Sequence, residues 1–285
     1  FVLAENPMLS DPDIAHVEEA LKKLELLVVV DIFMTETAEL AHVVLPGTTF
    51  AERDGTFTNS ERRVQRIRKA VEPVGDAKED WLILKELMER SGMPQQPSSP
   101  KEIFEELRKL TPQYAGMTYE RIDEFGLQWP CPTEDHPGTP YLHKDKFARG
   151  KGQFFAIHHR EPVEVPDEEY PFWLTTGRTY FHFHTTSMTR RSKLLEWEAP
   201  DAYVEVSRED AERLGIGDGD AIRLSTRRGS VEARAVISDR VKAGLVFIPF
   251  HFAEAAANRL TIDAVDPVAN IPEFKVCAVR LEKVA

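Results

Sequence analysis

The feature that most constrains this chain is a change of hydrophobic period near residue 170. Before it, apolar residues fall at helical spacing or in short continuous runs. After it, they fall in brief stretches of strand character, such as FWLTTGR, AYVEVS and GLVFIPF. A helical period and a strand period bury different faces, so one layer cannot serve both. The sequence therefore predicts two architectures: an α/β part, then an all-β part.

In the α/β part, Phe1-Val2-Leu3-Ala4 is a short apolar run that reads as the end of a buried strand. Ser10 or Asp11 is placed to cap a helix with Pro12 at its first position, and Ile14, Val17, Leu21 and Leu24 follow at helical spacing. Leu26-Leu27-Val28-Val29-Val30 is continuous and largely β-branched, the pattern of a strand covered on both faces. A parallel βαβ unit ending at Asp31 follows. Ligands of open α/β sheets sit beyond the carboxyl ends of strands. Asp31 is thus either a ligand group or merely the cap of a helix over residues 35–41. His42 to Pro46 reads as another strand, and Asp54-Gly55 as a turn. A helix from Asp80 to about Arg90 is expected, with Trp81, Leu84, Leu87 and Met88 inward. Residues 92–169 are proline-rich and read as a connecting segment, with one helix from Pro100 to about Leu110.

From Tyr170 onward, short strands, a hairpin turn at Arg228-Gly229-Ser230 and one capped helix, SREDAERLGI starting at Ser207, predict a small closed barrel. The expected division is 1–91, 92–169 and 170–285.

The net charge of −12 argues against nucleic acid as a partner. No apolar run approaches the roughly 20 residues of a membrane span. Two cysteines, Cys131 and Cys277, cannot build a disulfide framework or hold an iron–sulfur cluster, and they fit a reducing, cytoplasmic location. The chain opens FVLAENP without Met, which reads as a fragment preceded by more of the same polypeptide.

Against this acidic background, no Asp or Glu occurs from Pro171 to Leu195, where TTGRTYFHFHTTSMTRRS carries Arg178, Arg190 and Arg191. A segment lined with donors and free of carboxylates suits a polyanionic ligand. Residues 53–70 hold a second excess, six Arg or Lys against two acids, which reads equally as a solvated face. His182 and His184 form an HxH pair that invites a zinc reading, but no third ligand follows at motif spacing. Asn258 by itself reads as the cap at the end of a helix over residues 252–257.

Several runs in order resemble the molybdopterin oxidoreductases of the DMSO reductase superfamily: ENPMLSDPD, FAERDGTFTNSERRVQ, TGRTYFHFHTTSMTRRS, FHFAEAAANRLT and IPEFKVCAVR. The likeness is greatest to the C-terminal portion of the catalytic alpha subunit of formate dehydrogenases. The resemblance implies part of a Rossmann-like doubly wound domain followed by a six-stranded double-psi β-barrel. It also implies two molybdopterin guanine dinucleotides around one molybdenum or tungsten atom. By that likeness Thr176, Gly177, Arg178, His182, His184, Thr185, Asn258 and Lys275 contact the cofactor. Asp31 and Asp80 read its guanine or ribose ends, Arg53 keeps a cation where relatives have Lys, and Phe250 borders a substrate channel. The family's metal ligand (Cys or selenocysteine), its catalytic His and Arg and a 4Fe-4S cluster would lie upstream. The implied partners are formate and electron-transfer iron–sulfur or flavin subunits. The other readings are a nitrate reductase, the large iron–sulfur subunit of an NADH dehydrogenase, or a non-catalytic nucleotide-binding or assembly module.

Overall fold

The structure is a computed structural model that describes residues 1–93 and 96–284. Pro94 and Gln95 of the proline-rich run, and Ala285 at the end of the third expected segment, lie outside the described residues.

The elements in chain order are β1 (Val2–Leu3), α1 (Pro7–Ser10), α2 (Ile14–Lys22), β2 (Val28–Asp31), α3 (Glu36–Glu39), β3 (Val43–Pro46), β4 (Gly55–Thr58), β5 (Arg63–Ile67), α4 (Asp80–Arg90), α5 (Pro100–Leu110) and β6 (Leu127–Gln128). There follow β7 (Phe172–Gly177), α6 (Lys193–Glu198), β8 (Tyr203–Val206), α7 (Arg208–Leu214), β9 (Ala221–Ser225), β10 (Ser230–Ile237), β11 (Leu245–Pro249) and β12 (Cys277–Lys283). Strands β1-β2-β3 form one sheet in that order, and β4-β5-β6 a second.

The last six strands close on themselves in the order β10-β8-β11-β7-β12-β9. Two neighbouring pairs, β10 with β8 and β11 with β7, run parallel; the remaining pairs are antiparallel. Closure leaves no unpaired edge. This is the small closed barrel that the pattern after residue 170 predicted, in the double-psi form that the resemblance implied. Alternation fills it: Phe172 and Leu174 of β7, Ile222 and Leu224 of β9 and Val246 and Ile248 of β11 are each at most 2% exposed. Cys277 lies in this core, where burial pushes its thiol up to about 12. The hairpin turn closes as read, with Thr226 N–H donating to Gly229 O at 2.9 Å. Ser207 accepts from Asp210 N–H and caps α7.

By compactness the chain divides into one unit of residues 1–29, 33–44 and 158–285, and another of residues 30–32 and 45–157. This division does not coincide with the boundaries expected at 91/92 and 169/170. The connecting segment is more than a linker. Its Phe104, Met117, Tyr119, Ile122 and Cys131 pack with Val64 into a separate core.

Several local expectations are corrected. The cap of α2 is Asp13, while Ser10 ends α1, and Leu24 is exposed because α2 stops at Lys22. Phe1 and Leu3 are exposed rather than buried. Thr35, not Asp31, caps the helix that follows β2, and that helix is only Glu36–Glu39. α4 has the expected span, but Ile83 is its buried residue while Leu84, Leu87 and Met88 are exposed. The helix expected over residues 252–257 is instead two short 3-10 turns, Ala253–Ala255 and Ala257–Arg259.

Candidate functional site

Strand register creates the site in the barrel unit. Because β7 and β11 are parallel and Gly177 pairs with Pro249, the loops leaving both strands start side by side. Phe250 N–H donates to Gly177 O at 3.1 Å, holding those loops together. A third strand end joins them: Thr176 Oγ1 donates to Phe274 O at 2.8 Å, and Lys275 Nζ donates to Thr176 O at 2.9 Å, just before β12.

Between these segments lies a cavity of about 180 Å³ lined by Ser10, Thr176, Arg178, His184, Phe250, Asn258, Phe274 and Lys275. Six of the sequence-predicted residues therefore share one space, and no carboxylate lines it. Arg178 sits over the Phe250 ring at 5.5 Å, and His184 meets the same ring edge-on at 6.0 Å. Partial burial, and then repulsion from Arg178, lower the Lys275 ammonium from its ordinary value. Neither Arg178 nor Lys275 has a carboxylate partner among the described residues. Two cations that repel each other and lack a counter-ion suit an anion.

Asn258 is buried and fully engaged. Its amide donates to Leu9 O at 2.8 Å and Ser10 O at 3.0 Å, and its Oδ1 accepts from Thr261 Oγ1 at 3.1 Å. It pins the 9–10 segment against the 256–261 turn and so brings Ser10 to the cavity.

The other predicted residues are placed elsewhere. His182 is buried with both ring nitrogens committed, to Thr189 Oγ1 at 3.1 Å and Ala199 O at 2.7 Å. Thr185 is buried, and its hydroxyl meets Ser187 Oγ at 3.1 Å. At Gly177 an added Cβ would lie 2.6 Å from the Phe247 ring, so this glycine makes room for a barrel side chain. Among the described residues, no group of three or more His, Cys, Asp or Glu is placed to hold a metal, so the HxH pair is not half of such a cluster. The absence of acids near Arg190 holds only along the sequence. In space Arg190 pairs with Glu196 at 3.0 Å and Glu254 at 2.7 Å.

Asp31, Arg53 and Asp80 belong to the other compact unit. The Gly47 N–H donates to Asp31 O at 3.0 Å, and an added Gly47 Cβ would lie 2.6 Å from Asp80 Oδ1. Arg53 and Asp80 form an ion pair at the edge of a cavity of about 330 Å³ whose apolar wall includes Phe57, Trp81 and Phe104.

Sequence reasoning missed His251. It is 0% exposed and touches the cation-bearing loop through both ring nitrogens. It had one signal, alternation in FHF just past a strand, but that pattern equally fits a core position.

With this geometry in hand, the chain is a member of the molybdopterin oxidoreductases. Residues 1–90 match the molybdopterin oxidoreductase family and residues 172–278 the molydopterin dinucleotide binding domain. Among the particular proteins it is similar to are formate dehydrogenases and, at 41% identity over 98% of this chain and 40% of that protein, the "Nitrate reductase" of Symbiobacterium thermophilum. It is 52% identical to the "F420-dependent formate dehydrogenase subunit alpha" of Methanocaldococcus jannaschii, covering 100% of this chain and 43% of that protein. It is 39% identical to "Formate dehydrogenase H" of Escherichia coli, covering 100% of this chain and 41% of that protein. The chain thus spans well under half the length of these relatives. In fold it matches the solved acetylene hydratase of Pelobacter acetylenicus with a TM-score of 0.74 at 19% identity, over 99% of this chain and 43% of that one.

Proposed function

We propose that this chain is the cofactor cradle of a formate dehydrogenase catalytic subunit. The carrying observation is the cavity lined by both Arg178 and Lys275 and by no carboxylate, neither cation having a counter-ion among the described residues, with Glu5 reaching only His184, at 4.0 Å. A pterin with phosphate and amide groups offers acceptors to those cations and to His184, and an edge to the Phe250 ring. The donor set therefore fits molybdopterin guanine dinucleotide. When bound, such a group would supply a molybdenum or tungsten centre able to take two electrons from formate as it becomes carbon dioxide.

In this reading the chain's own residues bind and orient. Arg178 and Lys275 neutralise charge, and Phe250 walls the space between Arg178 and His184. Asn258 holds the backbone of Ser10 at the rim. Asp80, held by Arg53, is the proposed recognition point for a nucleobase end, since a carboxylate accepts two N–H groups side by side. His182 and Thr185 act from behind the loop, and Gly177 acts by yielding space to Phe247. The remaining length of the polypeptide would bring the metal ligand and the iron–sulfur cluster, with further subunits taking the electrons. A cytoplasmic setting accords with two free, buried cysteines. Among the described residues no helix is long and apolar enough to cross a membrane.

The test is Arg178→Glu and Lys275→Glu, singly, in the complete subunit. Each should lower pterin bound per subunit at least tenfold, since one unpaired charge at an anion contact is worth about 1.5–3 kcal/mol. Undiminished pterin and formate oxidation in both variants would refute the cradle.

A further inference from the structure

The loop from Arg178 to Thr186 is an unfavourable piece of backbone. His184 and Thr186 both sit at positive φ, 49° and 62°, where residues with a Cβ are strained. Something must hold it. His251, two residues past β11, has its Nε2 2.8 Å from Thr179 N, and its Nδ1 meets His184 O. A backbone N–H can only donate and a carbonyl can only accept. Nε2 is therefore the bare nitrogen, and Nδ1 carries the proton. One neutral tautomer spans the loop and ties Thr179, next to Arg178, and His184 to the barrel. Thr186 Oγ1 adds a bond to His251 O at 3.3 Å, and the His251 ring packs on Phe250 with centroids 4.6 Å apart.

We infer that His251 is the positioning residue of the cradle: its two-ended imidazole bridge sets where Arg178, His184 and Phe250 face the cofactor. This rests on the function proposed above. His251 does not line the cavity itself, so it acts only through those three.

The bridge has a chemical signature. A glutamine amide carries an acceptor oxygen and a donor nitrogen about as far apart as the two imidazole nitrogens, so His251→Gln can remake both bonds. His251→Asn hangs its amide on a shorter stem and reaches one. His251→Phe fills the volume and makes neither.

The experiment uses the complete subunit with its partner subunits, made in cells that synthesise the cofactor. Pterin is released, oxidised and measured per folded subunit, and thermal melting is recorded alongside. The Gln variant should hold pterin as the wild type does. The Asn and Phe variants should hold less by about fivefold or more, the equivalent of about one lost hydrogen bond. If the Phe variant does not fold, the Gln–Asn comparison carries the result alone. Wild-type pterin content in Asn and Phe variants that melt earlier would show a purely structural histidine and overturn the proposal. A Gln variant as depleted as the Asn variant would overturn the two-bond bridge. Wild-type subunit without pterin would sink the functional reading instead, and this one with it.

Discussion

At the scale of single residues, chemistry and space ask different things of neighbours. Arg178 and Gly177 are adjacent, yet the first is exposed at a cavity while the second makes room for the Phe247 ring. Gly177→Ala is expected to destabilise the barrel by about 1–3 kcal/mol through overpacking, read as a lower urea midpoint with unchanged slope. Phe247→Leu in the same background should recover part of the loss, because it removes the ring that the methyl group meets. Full stability of the alanine variant alone would mean that β7 and β11 can part freely here.

At the scale of elements, the segment preceding β7 is fastened to the barrel by two carboxylates, Glu164 and Asp167, of which Glu164 is the buried one. Glu164, 8% exposed, accepts from Arg227 at 2.7 Å, from Arg228 at 2.7 Å and from Ala278 N–H at 3.0 Å. Burial alone would raise its pKa, but the bonds from Arg228, Ala278 and Arg227 outweigh that and hold it below the usual carboxylate value. Glu164→Gln keeps the shape but leaves the mostly buried Arg228 guanidinium without a carboxylate, while Arg227 keeps Asp167. A loss of about 3 kcal/mol is expected, the scale for breaking one side of a buried ion pair, measured by chemical unfolding. A change within about 0.5 kcal/mol would show that Arg228 does not need the Glu164 charge.

At the scale of the whole molecule, two kinds of titrating group should give acid denaturation two stages. Burial lowers the pKa of His251, the bond to the His184 carbonyl offsets only part of this, and His182, Arg178 and His184 lower it further. The unfolded chain therefore takes up this proton first, and stability begins to fall as pH drops below about 6.5. Glu164 and Asp210 have folded pKa values below their unfolded ones, so their contribution is complete above about 4.5 and is lost as pH falls through the folded values. Melting temperature against pH should thus begin a gentle decline below about 6.5 and fall steeply below about 4.5. His251→Gln should remove the first decline and leave the second. A single acid transition, identical in both proteins, would contradict the assignment of the first stage to His251.

The sequence by itself determined the periods, and through them the elements. The β-branched run ending at Asp31, the span of α4, the cap at Ser207 and the Arg228-Gly229-Ser230 turn are set by contacts within a few residues, so they are legible locally. It also determined the acid-free composition of one strand end. Charge is a property of residue type, so Arg178 and His184 could be singled out from the acid-free run before their positions were known, whereas Asn258 and Lys275 were indicated by the family resemblance alone. Tertiary structure decided which of these share a space. Only the parallel pairing of β7 with β11, Gly177 against Pro249, sets two distant loops side by side. Only that neighbourhood hides His251 behind the loop, bonded to Thr179, His184 and Thr186. Hydrogen bonds between residues 65 or more positions apart leave no periodic trace in a chain, because either partner alone would look the same in any buried strand end.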